Sequence, residues 1–407
     1  MNDATRRHRD GNGPEAGIRI DRDYLLDTLL ALLNTPSPSG YTDGIVHMVG
    51  QELERLDIEF DLTRRGAIRA VLRGRERHPA RALVAHLDTL GAIVKRLQPN
   101  GRLSVVPIGH WSARFSEGAR CTIFTDDGRH RGTILPLKAS GHTFGGEIDK
   151  LPVGWDYVEL RVDALVDNER DLEALGIRVG DIIAVDPNPE IGPNDFINSR
   201  YLDDKAGVAT LLAAAEAVQR SGVKPPVDTY LLFTISEEVG SGASSILHGE
   251  IAEMVTIDNG TTAPGQASRE TGVTVAMMDS AGPFDFHLTR KLLALCADNG
   301  ISHQRDVFRH YRSDSASAIE AGNDLRTALV CFGIDASHGY ERIHRSALDD
   351  LAKLEALYML SEPTFKRDAK PLGPLTGFPV PPDWDEEETA ERLGTPAPAE
   401  EAAEPHK

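Results

Sequence analysis

The sequence predicts an α/β domain interrupted by an inserted β-domain of about 100 residues. Apolar runs of strand length, Val227–Ile235 above all, alternate with leucines at helical spacing, the pattern of an α/β sheet. After Gly91 the texture changes to short strand-like pieces separated by turn residues, and near Phe196 the α/β texture returns. The expected division is therefore an unstructured N-terminus (1–18), a discontinuous α/β domain (19–92 and 195–365), an inserted β-domain (93–194) and an acidic tail (366–407).

Each element has its own signal. Asp23–Asn34 carries Leu25, Leu26, Leu29, Leu30 and Leu33 at helical spacing, and "PSPSGYTDG" breaks that helix. A second helix follows with Ile45, Val49, Leu53 and Leu56. "IRAVLRG" and "RALVAHLDTLG" read as strands joined by a Gly-containing turn. The insert supplies "RLSVVPI", "CTIFTD", "GTILPL", "YVELRVDAL" and "DIIAVDP" as strands. Beyond it, a helix after Asp204 places Val208, Leu211, Leu212, Ala215 and Val218 on one face.

Composition narrows the function. The chain has 407 residues, 40% hydrophobic and 26% charged, as in a globular protein with room for two domains. A formal charge of −19 and the lack of a basic stripe exclude nucleic acid and an anionic membrane as main partners. The segment 383–407 holds nine acids against two basic residues in a Pro/Ala-rich context, the composition of a solvated tail. The first 18 residues lack an apolar signal-peptide core and no stretch is long and apolar enough to span a membrane, so a cytoplasmic protein is expected. Cys121, Cys296 and Cys331 are scattered, which reads as reduced packing residues.

The chemistry gathers at strand ends. "LLFTISEEVGSGAS" ends a buried strand in Glu237 and Glu238, at the sheet edge where open α/β folds bind ligands. Two carboxylates there lose hydration and repel each other unless a cation or a proton holds them. "LVAHLDTLG" gives His86 and Asp88 at i, i+2, one face of a strand, with the acid expected to hold the second imidazole nitrogen. "SRYLDDKAGVA" sets Asp203 and Asp204 at a helix start, where one is expected to cap and the other to face a ligand. "MVTIDNG" ends an apolar run in Asp258, and "ASHGYERIH" supplies His338 and His344. Nitrogen and oxygen ligands without thiolate suit zinc, cobalt or manganese, and two ions sharing a carboxylate suit hydrolysis.

The order H-x-D, L-D-D-K, E-E-V-G, a strand ending in Asp and a late His resembles the dinuclear metallo-aminopeptidases of metallopeptidase family 42, the glutamyl aminopeptidase or tetrahedral aminopeptidase group. The resemblance spans roughly residues 20–362 and includes the "PSGY" turn and "LGIRVGD". Within the family, "RRGAIRA", "IGHWSARF", "KASGHTF", "LTRKL" and "RSDSASA" most resemble the subgroup associated with the osmoprotectant N-acetylglutaminylglutamine amide. It implies a central mixed sheet flanked by helices, as in zinc peptidases, with a small barrel-like insert through which subunits assemble, up to dodecamers.

For the site, the resemblance implies that His86 binds one of two divalent ions, zinc most of all, with Asp88 behind it. Asp203 becomes the bridging carboxylate, followed by a cis peptide bond to Asp204. Glu237 is the general base, Glu238 a ligand, Asp258 a ligand of the first ion and His338 of the second. The sequence departs from the family at Thr89, where an acid is usual, and at "HGYE", which puts Glu341 three residues after His338 instead of four and leaves His344 as the alternative ligand. Arg309 or Arg312 is expected to reach a substrate carboxylate or amide oxygen, and Asp314 to lie beside it. The expected activity is hydrolysis of small peptides or of the dipeptide osmolyte. A deacylase with similar metals and a non-catalytic osmolyte-binding regulator are the alternatives.

Overall fold

The computed structural model describes residues 18–375 and 377–381. Expectations for residues 1–17 and for most of the acidic tail lie outside the described residues. Residues 366–369, expected in that tail, form a short 3₁₀ turn held by Arg326 Nε on Asp368 Oδ2 at 2.7 Å. Among the described residues no helix is long and apolar enough to cross a membrane.

The fold is a mixed nine-stranded sheet with helices packed on it and a closed six-stranded barrel. Four parallel strands form the sheet's centre, in the order Val227–Thr234, Glu76–His86, Ile251–Thr261 and Arg326–Ile334. Glu76–His86 is buried from Pro79 to its end, as expected of a parallel strand covered on both faces. Antiparallel strands Ile68–Leu72 and Val273–Asp279 extend the two sides.

Helix Leu202–Ser221 packs on the two middle strands and against helices Arg22–Leu33 and Arg345–Leu360. The sequence predicts a one-sided apolar stripe here, but nearly every residue from Leu202 to Val218 is buried. The helix lies between sheet and neighbouring helices, and its many alanines permit close approach on all sides. Helix Arg22–Leu33 begins one residue earlier than its leucine pattern suggests, because Asp21 Oδ1 accepts from Asp23 N at 3.1 Å and Tyr24 N at 3.0 Å.

The barrel runs Gly91–Leu97, Arg102–Ile108, Val158–Val162, Gly128–Pro136, Arg120–Thr125 and Ile182–Val185 around its wall, every pair antiparallel. Closure removes free strand edges and encloses Leu103, Val105, Cys121, Ile123, Ile134, Leu160 and Ile183. Cys296 and Cys331 are likewise buried, and all three thiols are free. A small sheet of Glu190–Ile191, Phe196–Ser199 and Glu341–His344 joins the barrel's exit to the end of the parallel strands.

Candidate metal centre

Where the parallel strands end, His86, Asp203 and Asp258 converge, each offering a ligand atom within 4.8 Å of the others. Asp203, Glu238 and His338 form a second such group. Asp203 belongs to both: its Oδ1 lies 3.1 Å from His86 Nε2 and its Oδ2 3.3 Å from His338 Nε2. Glu237 stands beside them, its Oε2 3.9 Å from His86 Nε2.

Strand register explains part of this convergence. His86 is the last residue of its strand and pairs with Thr234, so Glu237 and Glu238 leave the sheet just past it. Asp258 is not at a strand end as the sequence suggests. Its strand continues to Thr261 because the pairing with Arg326–Ile334 persists, whereas the pairing with Glu76–His86 stops at Thr256 and Val84. Asp258 therefore stands two residues beyond that last pair, level with His86.

Asp203 and Asp204 interrupt the start of helix Leu202–Ser221 with non-helical backbone and share a cis peptide bond. The expected division into cap and ligand-facing residue is not what forms. Asp204 Oδ2 accepts from the backbone N–H of His86 at 2.9 Å, tying the helix start to the strand end instead of capping the helix. Gly207 makes room for it: a Cβ there would lie 2.2 Å from Asp204 Oδ1.

The imidazoles are oriented by carbonyl oxygens. His86 Nδ1 lies 2.9 Å from Asp88 O, and the carboxylate expected in that place is farther, at 3.7 Å. The physical reason is that the strand ends at His86, so the turn that follows presents the carbonyl of Asp88 and sends its side chain elsewhere. That carboxylate accepts from Glu237 N at 3.1 Å and from Ser39 Oγ in the "PSGY" turn. Thr89 leans on the same turn, donating its N–H to Ser37 O at 2.9 Å. His338 Nδ1 lies 2.7 Å from His110 O, in the loop two residues beyond barrel strand Arg102–Ile108. A carbonyl only accepts, so Nδ1 carries the proton in both rings, and each Nε2 faces Asp203 with its lone pair available in the neutral form.

His338 adopts φ +64, a left-handed backbone uncommon for histidine. Glu341 holds that turn: Oε1 accepts from His338 N at 2.9 Å and Oε2 from Asp203 N at 3.2 Å. His344, the alternative ligand, instead takes the N-cap position of helix Arg345–Leu360, its Nδ1 accepting from Ser346 N at 3.2 Å. Asn259 was missed by sequence reasoning. Its Nδ2 donates to Asp203 Oδ2 at 2.6 Å, a contact that adjacency to Asp258 in "TIDNG" could have flagged.

Two residues expected at the substrate have other partners. Asp314 is buried and accepts from Thr234 Oγ1 at 2.6 Å and Ala243 N at 2.7 Å, which anchors the 236–243 loop. Arg312 forms a two-pronged pair with Glu320 on the surface. Arg309 is exposed.

The electrostatics describe a cage short of positive charge. Burial first, then neighbouring charge, pushes Glu237 and Glu238 well above the ordinary carboxylate range, Asp258 up to about 7 and Glu341 up to about 8. For Asp203, burial is outweighed by the hydrogen bonds from His338 and His86, which hold it below the usual range. Burial likewise opposes the charged form of His338, yet Asp203 and Glu238 raise it to about 10. Two imidazoles thus face at least five carboxylates. Buried Glu238 Oε1 and Asp204 Oδ1 have no hydrogen-bond partner among the described residues. Oxygen and nitrogen donors with unsatisfied buried oxygens are what a divalent cation needs, so the residues fit a metal centre.

Residues 66–354 match the profile of the M42 glutamyl aminopeptidases. The chain belongs to the M42 family. It is 36% identical over 337 residues to a putative aminopeptidase, YhfE, of Bacillus subtilis (strain 168), covering 83% of this chain and 97% of that one. It is 28% identical over 214 residues to a lysyl aminopeptidase of Pyrococcus furiosus, covering 51% and 58%. Among solved structures, the aminopeptidase APDkam598 of Desulfurococcus kamchatkensis superposes with TM-score 0.75 at 22% identity, covering 83% of this chain and 95% of that one. The Pyrococcus horikoshii TET1 peptidase, described as assembling into a tetrahedron or a large octahedral shell, gives TM-score 0.73 at 22% identity, covering 83% and 100%. As an M42 member the protein is an aminopeptidase, a metal-dependent hydrolase of peptide bonds.

Proposed function

We propose that this M42 aminopeptidase works with two divalent ions, zinc first and cobalt or manganese as alternatives. His86 and Asp258 would hold one ion, His338 and Glu238 the other, with Asp203 bridging. The observation that carries this reading is the placement of the two Asp203 oxygens, one toward each imidazole. Ions held there would polarise the scissile carbonyl and lower the pKa of a water towards about 7.

Glu237 is the general base in this reading. Its Asp88-anchored backbone aims the carboxyl at the cluster, and burial raises its proton affinity into the range useful for accepting a proton from water and returning it to the leaving amine. Glu237→Gln keeps the side-chain shape and should leave metal content unchanged while lowering kcat by about 10²–10⁴-fold. Full activity in that variant, or in enzyme stripped by exhaustive chelation, would refute the mechanism.

For substrate we propose small peptides of the glutamine-dipeptide type, either N-acetylglutaminylglutamine amide or its precursors and breakdown products, on the strength of the subgroup resemblance. Free, acetylated and amidated glutamine dipeptides assayed side by side separate an aminopeptidase from a deacylase, since only a deacylase would prefer the blocked amine. We also propose that subunits self-associate through the barrel, supported by the fold shared with the TET1 peptidase. Sedimentation of the intact chain as a monomer would refute this.

A further inference from the structure

Arg65 lies in "RRGAIRA", in the turn that joins strand Glu59–Leu62 to strand Ile68–Leu72. The turn is tightly built: Thr63 N donates to Ala67 O at 2.9 Å, Gly66 N to Thr63 O at 3.0 Å and Ala67 N to Thr63 Oγ1 at 3.0 Å. A Cβ on Gly66 would lie 3.7 Å from Val46 Cγ2 and 3.9 Å from Ile235 Cδ1, so the turn rests on the residue just past strand Val227–Thr234. Strand register sets it at the same sheet edge as the candidate metal centre. Ile68 pairs with Phe233, and Thr234 pairs with His86 on the other side of that strand. The order along the edge is therefore Asp258, His86, the exit to Glu237, then Arg65, with neighbouring strands about 4.8 Å apart.

Arg65 reaches across to that exit. Its Nη2 donates to Ser236 Oγ at 2.6 Å, and Ser236 is bonded directly to Glu237, Cα to Cα about 3.8 Å. The exit is itself held, since Ser236 O accepts from Ser241 N at 3.0 Å and Glu237 N donates to Asp88 Oδ1 at 3.1 Å. Other arginines are committed to carboxylates: Arg69 to Glu250, Arg73 to Glu59 and Asp228, Arg312 to Glu320. Arg65 is exposed and, among the described residues, has Ser236 Oγ as its one hydrogen-bond partner. A guanidinium carries five N–H donors in a fork that fits a carboxylate, so most of its capacity here is left for a ligand.

We propose that Arg65 is a specificity-determining residue: its guanidinium binds the carboxylate of the amino acid that leaves, which makes the substrate a dipeptide with a free C-terminus. This rests on the reading of Glu237 as the base and narrows the substrate class given above to its carboxylate-bearing members. The leaving amine takes its proton from Glu237 and so departs on the Glu237 side of the centre, the side on which Arg65 stands. In a dipeptide only Cα separates that nitrogen from the carboxylate, with about 2.5 Å between the nitrogen and the carboxyl carbon. Without a cation, that carboxylate would meet only the like charges of Glu237 and Glu238, which would reject it.

The test compares the parent, Arg65→Gln and Arg65→Lys, each with metal content measured, on glutaminylglutamine and on its C-terminal amide. The parent should favour the free acid. Arg65→Gln should lose about 10–100-fold more kcat/KM on the acid than on the amide, mostly through KM, as expected for a lost charge-assisted hydrogen bond. Arg65→Lys keeps the charge and should recover part of the preference. By calorimetry, free glutamine should bind the parent at least tenfold more tightly than Arg65→Gln, whereas glutaminamide should bind both alike. Equal losses on acid and amide overturn the proposal, because Arg65 would then only brace the Ser236 loop. So does a parent that cleaves acid and amide alike, or glutamine binding that ignores Arg65. If the parent cleaves neither dipeptide but still binds glutamine through Arg65, the glutamine-dipeptide substrate reading fails and the carboxylate contact stands. If Glu237→Gln stays fully active while the acid preference persists, the base assignment fails alone.

Discussion

Replacing Glu341 with alanine should damage metal binding more than any change outside the ligand set. Its two oxygens serve the backbones of two candidate ligands at once, His338 N at 2.9 Å and Asp203 N at 3.2 Å, and the residue is only 2% exposed. Alanine leaves both N–H groups buried without acceptors, at about 1–3 kcal/mol each and so roughly 2–6 kcal/mol together. It also releases His338 from its left-handed φ of +64, a conformation that persists only when its surroundings enforce it. Water entering beside the half-buried imidazole would recover part of this, which favours the low end. Since about 1.4 kcal/mol is tenfold in a binding constant, metal affinity should drop roughly 10–100-fold. Glu341→Gln should fall between, because its amide keeps one accepting oxygen but turns an NH₂ toward the other donor. Competition against a chromophoric chelator measures both variants. Parental affinity in Glu341→Ala would refute the idea that this carboxyl organises the site.

Two further outcomes follow from buried contacts. Gly242→Ala would set a Cβ 1.9 Å from Asp314 Oδ1, so the loop carrying Glu237 and Glu238 must shift; kcat should fall by at least tenfold with a smaller change in melting temperature, and an unchanged kcat would count against Asp314 as the anchor of that loop. Glu355 is buried with Thr210 as its one side-chain hydrogen-bond partner among the described residues, and burial lifts its pKa well above the ordinary 4.5. Between those two values the folded chain keeps a proton that the unfolded chain has lost, so this group's contribution to stability declines as pH rises. Glu355→Gln should therefore melt progressively higher than the parent between about pH 5 and pH 8, and a pH-independent difference would contradict the assignment.

The sheet and the principal residues of the candidate site were legible because their signals are local. Val227–Thr234 is rich in β-branched, leucine and aromatic residues, and the acids and histidines that follow such runs stand out against the apolar background. What was not legible depends on contacts across the chain. The Asp88 carboxylate meets the backbone of Glu237, 149 positions away, so its neighbour in sequence was a poor guide to its partner. Glu341 acts on two backbone N–H groups, which carry no side-chain signature. Asp314 looked like a substrate contact because it sits among arginines, yet its partners come from Thr234 and Ala243. Asp258 looked terminal because apolar character ends there, whereas ladder bonds to Arg326–Ile334 carry the strand on to Thr261.

In the two-ion reading proposed above, the bond from His338 Nδ1 to the carbonyl of His110 would give the inserted barrel a role in the chemistry. Trp111 Nε1 ties the same loop back to Gly91 O at 2.9 Å, and Arg200 Nη2 braces it through Phe115 O at 2.7 Å. Excising the insert and joining its ends would thus yield no smaller working peptidase, since one imidazole would be free to rotate and to change tautomer. The loop bearing residue 110 must stay in register with the half that carries the candidate metal centre.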